Sequence, residues 1–140
     1  MELDAKTYEA IKTWCAIGDQ FASEKRYEES IVEYNKAWKL IPEPKNDWEA
    51  STWILGAIAD ATCLAGYITS AREALEYAMT CPGAIGNPFL HMRYGQVLYE
   101  IGDLDRATDE LMRAYMGAGD DIFVSEDAKY LTFLRTCTKL

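Results

Sequence analysis

His91, four cysteines and two pairs of adjacent acids are the residues of this chain whose types could do chemistry. A histidine can serve as a general base near neutral pH, and thiolates can attack carbon or bind zinc. Paired carboxylates can divide acid and base roles. Their spacing argues against each use. His91 is the only histidine, whereas zinc wants three or four convergent nitrogen or sulfur ligands. Cys15, Cys63, Cys81 and Cys137 are scattered, with no CxxC. Glu28-Glu29 and Asp120-Asp121 are direct neighbours, so on a helix they diverge. There is no glycine-rich phosphate loop ending in lysine, no GxSxG and no HExxH. Gly117-Ala118-Gly119 follows a helical stretch rather than opening one, and reads as a stop. The expectation is a protein that is not an enzyme and holds no metal and no cofactor.

Composition narrows the class. The chain has 140 residues, 49% of them hydrophobic, with a formal net charge of -9 and a pI near 4.6. That length fits one domain with a continuous core. An acidic surface repels nucleic acid and anionic membrane and favours a basic protein partner. Met1-Glu2-Leu3-Asp4 lacks the basic and then apolar stretches of a targeting signal. The longest apolar run, 53–59, falls far short of the ~20 residues of a membrane span. Isolated cysteines read as reduced thiols filling core space, so a cytoplasmic location is predicted.

The elements that must position these residues are helices. Nine glycines and four prolines fall mostly between periodic segments, which is helical punctuation. A first helix is predicted over about Asp4 to Ser23, with Tyr8, Ile11, Trp14, Cys15, Gly18 and Phe21 on one face. A second runs from Tyr27 to Leu40 and stops at Pro42 and Pro44. A third begins near Asp47, with Trp48 in its first turn. Asn87 should cap a helix that has Pro88 at its first position. Asp103 should cap the following helix, and Ser125 a final one.

Trp14, Ile17, Gly18, Phe21, Ser30, Tyr34, Ala37 and Pro42, counted from Ile11, resemble the tetratricopeptide repeat, a helix-turn-helix unit of about 34 residues. A second unit from Thr52 matches with Leu55, Ile58, Ala59, Ala71, Leu75 and Ala78. A third from Pro88 matches with Tyr94, Gly95, Leu98, Gly102, Ala107, Leu111 and Ala114. The resemblance covers 11–121. It implies an all-α fold: a right-handed α-solenoid of three units, over about 4–44, 47–83 and 87–121. A capping helix over about 125–140 completes a single domain, 1–140.

The resemblance also implies a concave groove lined by the first helix of each unit. By offset, the groove receives Asp19 from the first unit and Trp53 and Asp60 from the second. The third contributes Phe89, Met92, Arg93, Gln96 and Tyr99. Aromatic anchors with a few charges suit a peptide or loop of another protein. For Trp53 and Phe89 the groove and the core are both open readings. His91 takes the offset of Trp14, a packing position. Asp19 and Asp60 stand where family members that grip a peptide carboxylate present asparagine, which disfavours that role.

Nine acids lie between Glu100 and Asp127, opposed in that stretch only by Arg106 and Arg113. Asp103, Asp105, Glu126 and Asp127 suit helix starts. Asp109, Glu110, Asp120 and Asp121 are not needed there. They form either a solvated face or a docking patch for a basic protein. The run from Gly117 to Leu134 resembles the end of small bacterial tetratricopeptide proteins encoded beside polymorphic toxins, which implies an immunity protein that neutralises a toxin domain. The other functional expectation is a scaffold or chaperone-type adaptor that binds a peptide or amphipathic helix. No feature indicates a homo-oligomer.

Overall fold

The computed structural model describes residues 2–140, and all its regular structure is helical. Helices α1 (Ala5–Ser23) and α2 (Tyr27–Lys39) form a first hairpin, and α3 (Glu49–Ala65) and α4 (Ile68–Ala78) a second. Helices α5 (Pro88–Glu100) and α6 (Leu104–Ala118) form a third, followed by α7 (Ala128–Cys137). The chain divides into two compact units, Met1–Ala84 with the first two hairpins and Ile85–Leu140 with the third and α7.

The three hairpins repeat one another position by position. Gly18, Ala59 and Gly95 share one offset and are all buried. A Cβ on Gly18 would stand 2.5 Å from the Tyr34 ring, and one on Gly95 2.6 Å from Leu111 Cγ. These small residues let the two helices of a hairpin approach closely. Ser30, Ala71 and Ala107 share a second offset, and Ala37, Ala78 and Ala114 a third; all six are 0% exposed. Tyr34, Leu75 and Leu111 fill the space between them.

The turns repeat as well. Lys25, Gly66 and Gly102 occupy one offset, and each has a positive φ, of 61°, 88° and 85°. The next amide reaches back to close the turn: Arg26 to Phe21 O, Tyr67 to Thr62 O and Asp103 to Leu98 O, each at 2.9 Å. This 6→1 bond satisfies a carbonyl at the end of the first helix.

Helix starts follow their caps. Asp4 Oδ1 accepts the Lys6 and Thr7 amides, and Asn87 Oδ1 accepts the Leu90 amide with Pro88 beside it. Three starts differ from expectation. Residues Lys45–Asp47 form a 3-10 turn, and Trp48 is extended, so α3 begins only at Glu49. The Trp48 indole donates to Pro42 O at 2.9 Å, and the Ser51 hydroxyl to Lys45 O at 2.5 Å, which holds this arrangement. Helix α7 begins at Ala128 rather than near Ser125, with Asp127 as its cap. The delay comes from a 3-10 turn over Gly119–Phe123 that drives Phe123 into the core. Asp103 sits at the start of α6 but makes no capping bond; it lies 3.6 Å from Arg106 instead.

In the first unit the core gathers Ile11, Cys15, Tyr34, Ala37, Ile54 and Ile58. In the second it gathers Met92, Leu111, Ala114, Phe123 and Leu134.

Candidate functional site

In the first unit, the N-terminal ends of α1 and α3 and the turn before α3 enclose a cleft of about 880 Å³. Tyr8 from α1, Trp53 from α3 and Trp48 from the turn supply its aromatic walls, and Glu2, Asp47 and Glu49 its carboxylates. Among the described residues no lysine or arginine lines it. Tyr8 is 43% exposed and Trp53 41%, so Trp53, open to either reading from sequence, faces solvent in part. Lys12, one turn along α1 from Tyr8, has its Nζ 5.3 Å from the Tyr8 ring centre and 3.6 Å from Glu9.

Asp19 lies farther along α1 and Asp60 farther along α3. The buried Tyr34 hydroxyl donates to Asp19 Oδ1 at 2.6 Å. Burial raises the Tyr34 pKa well above its ordinary value, and the Asp19 hydrogen bond and the charges of Asp19 and Asp60 add to the rise. The two acids therefore act on one hydroxyl. Asp19 itself stays exposed and Asp60 half-buried.

The predicted groove residues of the second unit are engaged within it. Met92 is in the core, and Phe89 packs against that core with the Arg93 guanidinium over its ring at 5.2 Å. Arg93 and Gln96, both buried, converge on Glu126 at 2.5 and 2.9 Å. Tyr99 meets Tyr130 and Phe133 of α7 edge-on. These residues fasten the 3-10 turn and α7 to the third hairpin.

Part of the acidic run is compensated, by cations within it and by cations that sequence order keeps apart from it. Lys129 Nζ lies 2.7 Å from Glu100, Arg135 3.3 Å from Asp120 and Arg113 3.2 Å from Asp109. Glu110 meets His91. Asp121 is exposed. Lys129 and Arg135 belong to α7, beyond the run, and Arg93 to α5, before it. The pairs made by Lys129, Arg135 and Arg93 join positions too far apart for a charge window along the sequence to show.

His91 is buried with both ring nitrogens used. The Gly86 amide donates to Nε2 at 2.8 Å, so the ring proton sits on Nδ1 and is donated to Glu110 at 2.6 Å. This tautomer leaves no lone pair for a substrate. Burial pushes the Cys15 thiol up to about 11, and the neighbouring Asp19 charge adds to the shift. Among the described residues, no three His, Cys, Asp or Glu side chains converge as metal ligands, and no helix is long and apolar enough to cross a membrane.

No family model and no curated protein sequence matches the chain. Among solved structures it is similar to the C-terminal TPR-containing domain of a Plasmodium falciparum protein described as FK506-binding. The TM-score is 0.75 at 12% identity, over 97% of this chain and 91% of that one. The fold is that of a tetratricopeptide-repeat domain. In the frame of that TPR fold, α1, α3 and α5 are the first helices of the repeats. Asp19, Trp53 and Asp60 lie on the first two of them.

Proposed function

We propose that this TPR domain is a non-catalytic binding module for a basic protein, and that the partner docks on the α1 and α3 face of the first unit. The carboxylates of the first unit's cleft carry the reading. The first unit holds fourteen acids against eight lysines and arginines, and so most of the net charge. Its cleft acids meet no cation among the described residues. In the second unit, Glu100, Asp109, Asp120 and Glu126 each have one. Asp19 and the exposed part of Trp53 offer charge and an aromatic anchor on the α1 and α3 face, the combination that gives fast and specific association. A basic toxin domain occluded by this face would be one partner of that chemistry.

The test is binding to a panel of basic protein domains at low and moderate salt. Charge reversal of Asp19 and Asp60 to lysine should weaken binding at least tenfold, and added salt should weaken the wild type, because exposed pairs are screened beyond about 8 Å at physiological ionic strength. Reversal of Asp109, Glu110, Asp120 and Asp121 should matter less. Loss of binding only in that second set would move the docking surface to the third hairpin and overturn the reading. Salt-indifferent binding would favour the adaptor with an apolar groove.

A further inference from the structure

We infer that the cleft at the N-terminal ends of α1 and α3 is a socket for a guanidinium group, so that a basic partner anchors itself there through one arginine. This rests on the docking reading above and names the chemistry of its anchor. A cleft of about 880 Å³ has room for a long side chain with its flanking backbone. Its walls, Trp48, Trp53 and Tyr8, are flat, and a planar cation stacks best on the face of a tryptophan. Glu2, Asp47 and Glu49 supply carboxylate oxygens at the same place, and arginine satisfies such oxygens with a fork of donors where lysine offers a point charge. Lys12 already occupies one face of Tyr8, which leaves the tryptophan walls for the incoming group. Among the described residues no lysine or arginine lines the cleft, so a guanidinium from a partner would meet carboxylates rather than a competing side-chain cation. An acidic or purely apolar peptide would leave those carboxylates facing like charge or buried without a partner.

The probe is an acetylated, amidated hexa-arginine peptide, followed by tryptophan fluorescence and calorimetry at 50 mM salt. The comparators are hexa-lysine and hexa-citrulline, the second of which keeps the shape of arginine without its charge. The expected result is saturable binding of hexa-arginine, weaker binding of hexa-lysine and none of hexa-citrulline. Trp53→Ala and the double variant Asp47→Asn/Glu49→Gln should each weaken hexa-arginine at least tenfold while helicity is kept. The double variant is isosteric and carries the test if Trp53→Ala fails to fold. Unchanged binding in the double variant would overturn the socket. If that binding were then lost in Asp19→Asn/Asp60→Asn, the docking face would stand without the socket. No binding of hexa-arginine to the wild type would remove both.

Discussion

Gly18 lies so close to Tyr34 that a Cβ at position 18 would stand 2.5 Å from the ring. The ring cannot swing away freely, because its hydroxyl is tied to Asp19 on the same helix as Gly18. Gly18→Ala should therefore cost about 1–3 kcal/mol, as overpacking does. The second hairpin shows the remedy, since it pairs Ala59 with Leu75 at these offsets. Gly18→Ala with Tyr34→Leu should recover part of the loss. Urea denaturation measures both, and a Gly18→Ala midpoint equal to wild type would contradict the close approach.

Lys25 holds a left-handed backbone, φ 61°, where the other two hairpins use glycine. A side chain there costs about 1–2 kcal/mol, and glycine gives back less than that because it frees the unfolded chain. Lys25→Gly should raise stability by about 0.5–1 kcal/mol, with an unchanged denaturant slope. Lys25→Ala keeps the strain and should not. Equal midpoints for all three proteins would show that the turn carries no strain.

Glu100 ties α5 to α7. The Lys129 ammonium, and then the Tyr130 hydroxyl, hold its carboxyl below the ordinary 4.5. A depressed pKa adds stability that is complete above the unfolded value and fades as pH falls through the folded one. Below pH 4.5 the near-ultraviolet signal of Tyr99, Tyr130 and Phe133 should decline, ahead of the helical signal. Glu100→Gln should weaken that signal at neutral pH and flatten its acid dependence. An acid profile identical to wild type would assign the transition to other carboxylates.

Thiol reactivity should divide the cysteines by burial. Cys137 is exposed, Cys15 and Cys81 are buried, and burial raises the pKa of both buried thiols. At pH 8 a disulfide reagent should modify Cys137 within minutes and spare Cys15 and Cys81 until the chain unfolds. Mass spectrometry of the labelled peptides reads the order directly. Fast labelling of Cys15 would mean that the first hairpin opens easily.

The repeat was legible because close approach leaves little choice of residue: Gly18, Ala59 and Gly95 recur where only small side chains fit. The start of α3 was not legible, because it depends on the Trp48 indole reaching Pro42, a bond with no sequence period. The start of α7 was missed because Phe123 must be buried before the chain can turn helical. The pairing of the acidic run was not legible either. Arg106 and Arg113 lie within it, but Arg93, Lys129 and Arg135 reach Glu126, Glu100 and Asp120 from α5 and α7 through space. Trp53 and Asp60 could be assigned to the right helix by offset. The cleft beside Trp53 needed Trp48 and Asp47 from the inserted loop, which the 34-residue pattern does not contain.

That inserted loop is tied down along its length. The Lys45 ammonium takes the Trp38 and Ile41 carbonyls at 2.9 and 2.7 Å, and Trp48 and Ser51 take those of Pro42 and Lys45. A protease must draw several residues into an extended strand before it can cut, and here each of those bonds would have to break first. Nicking within 42–48 should thus be slow for a surface connection. The same stiffness makes this loop a poor place to splice in foreign sequence, although it is the joint between the first two hairpins.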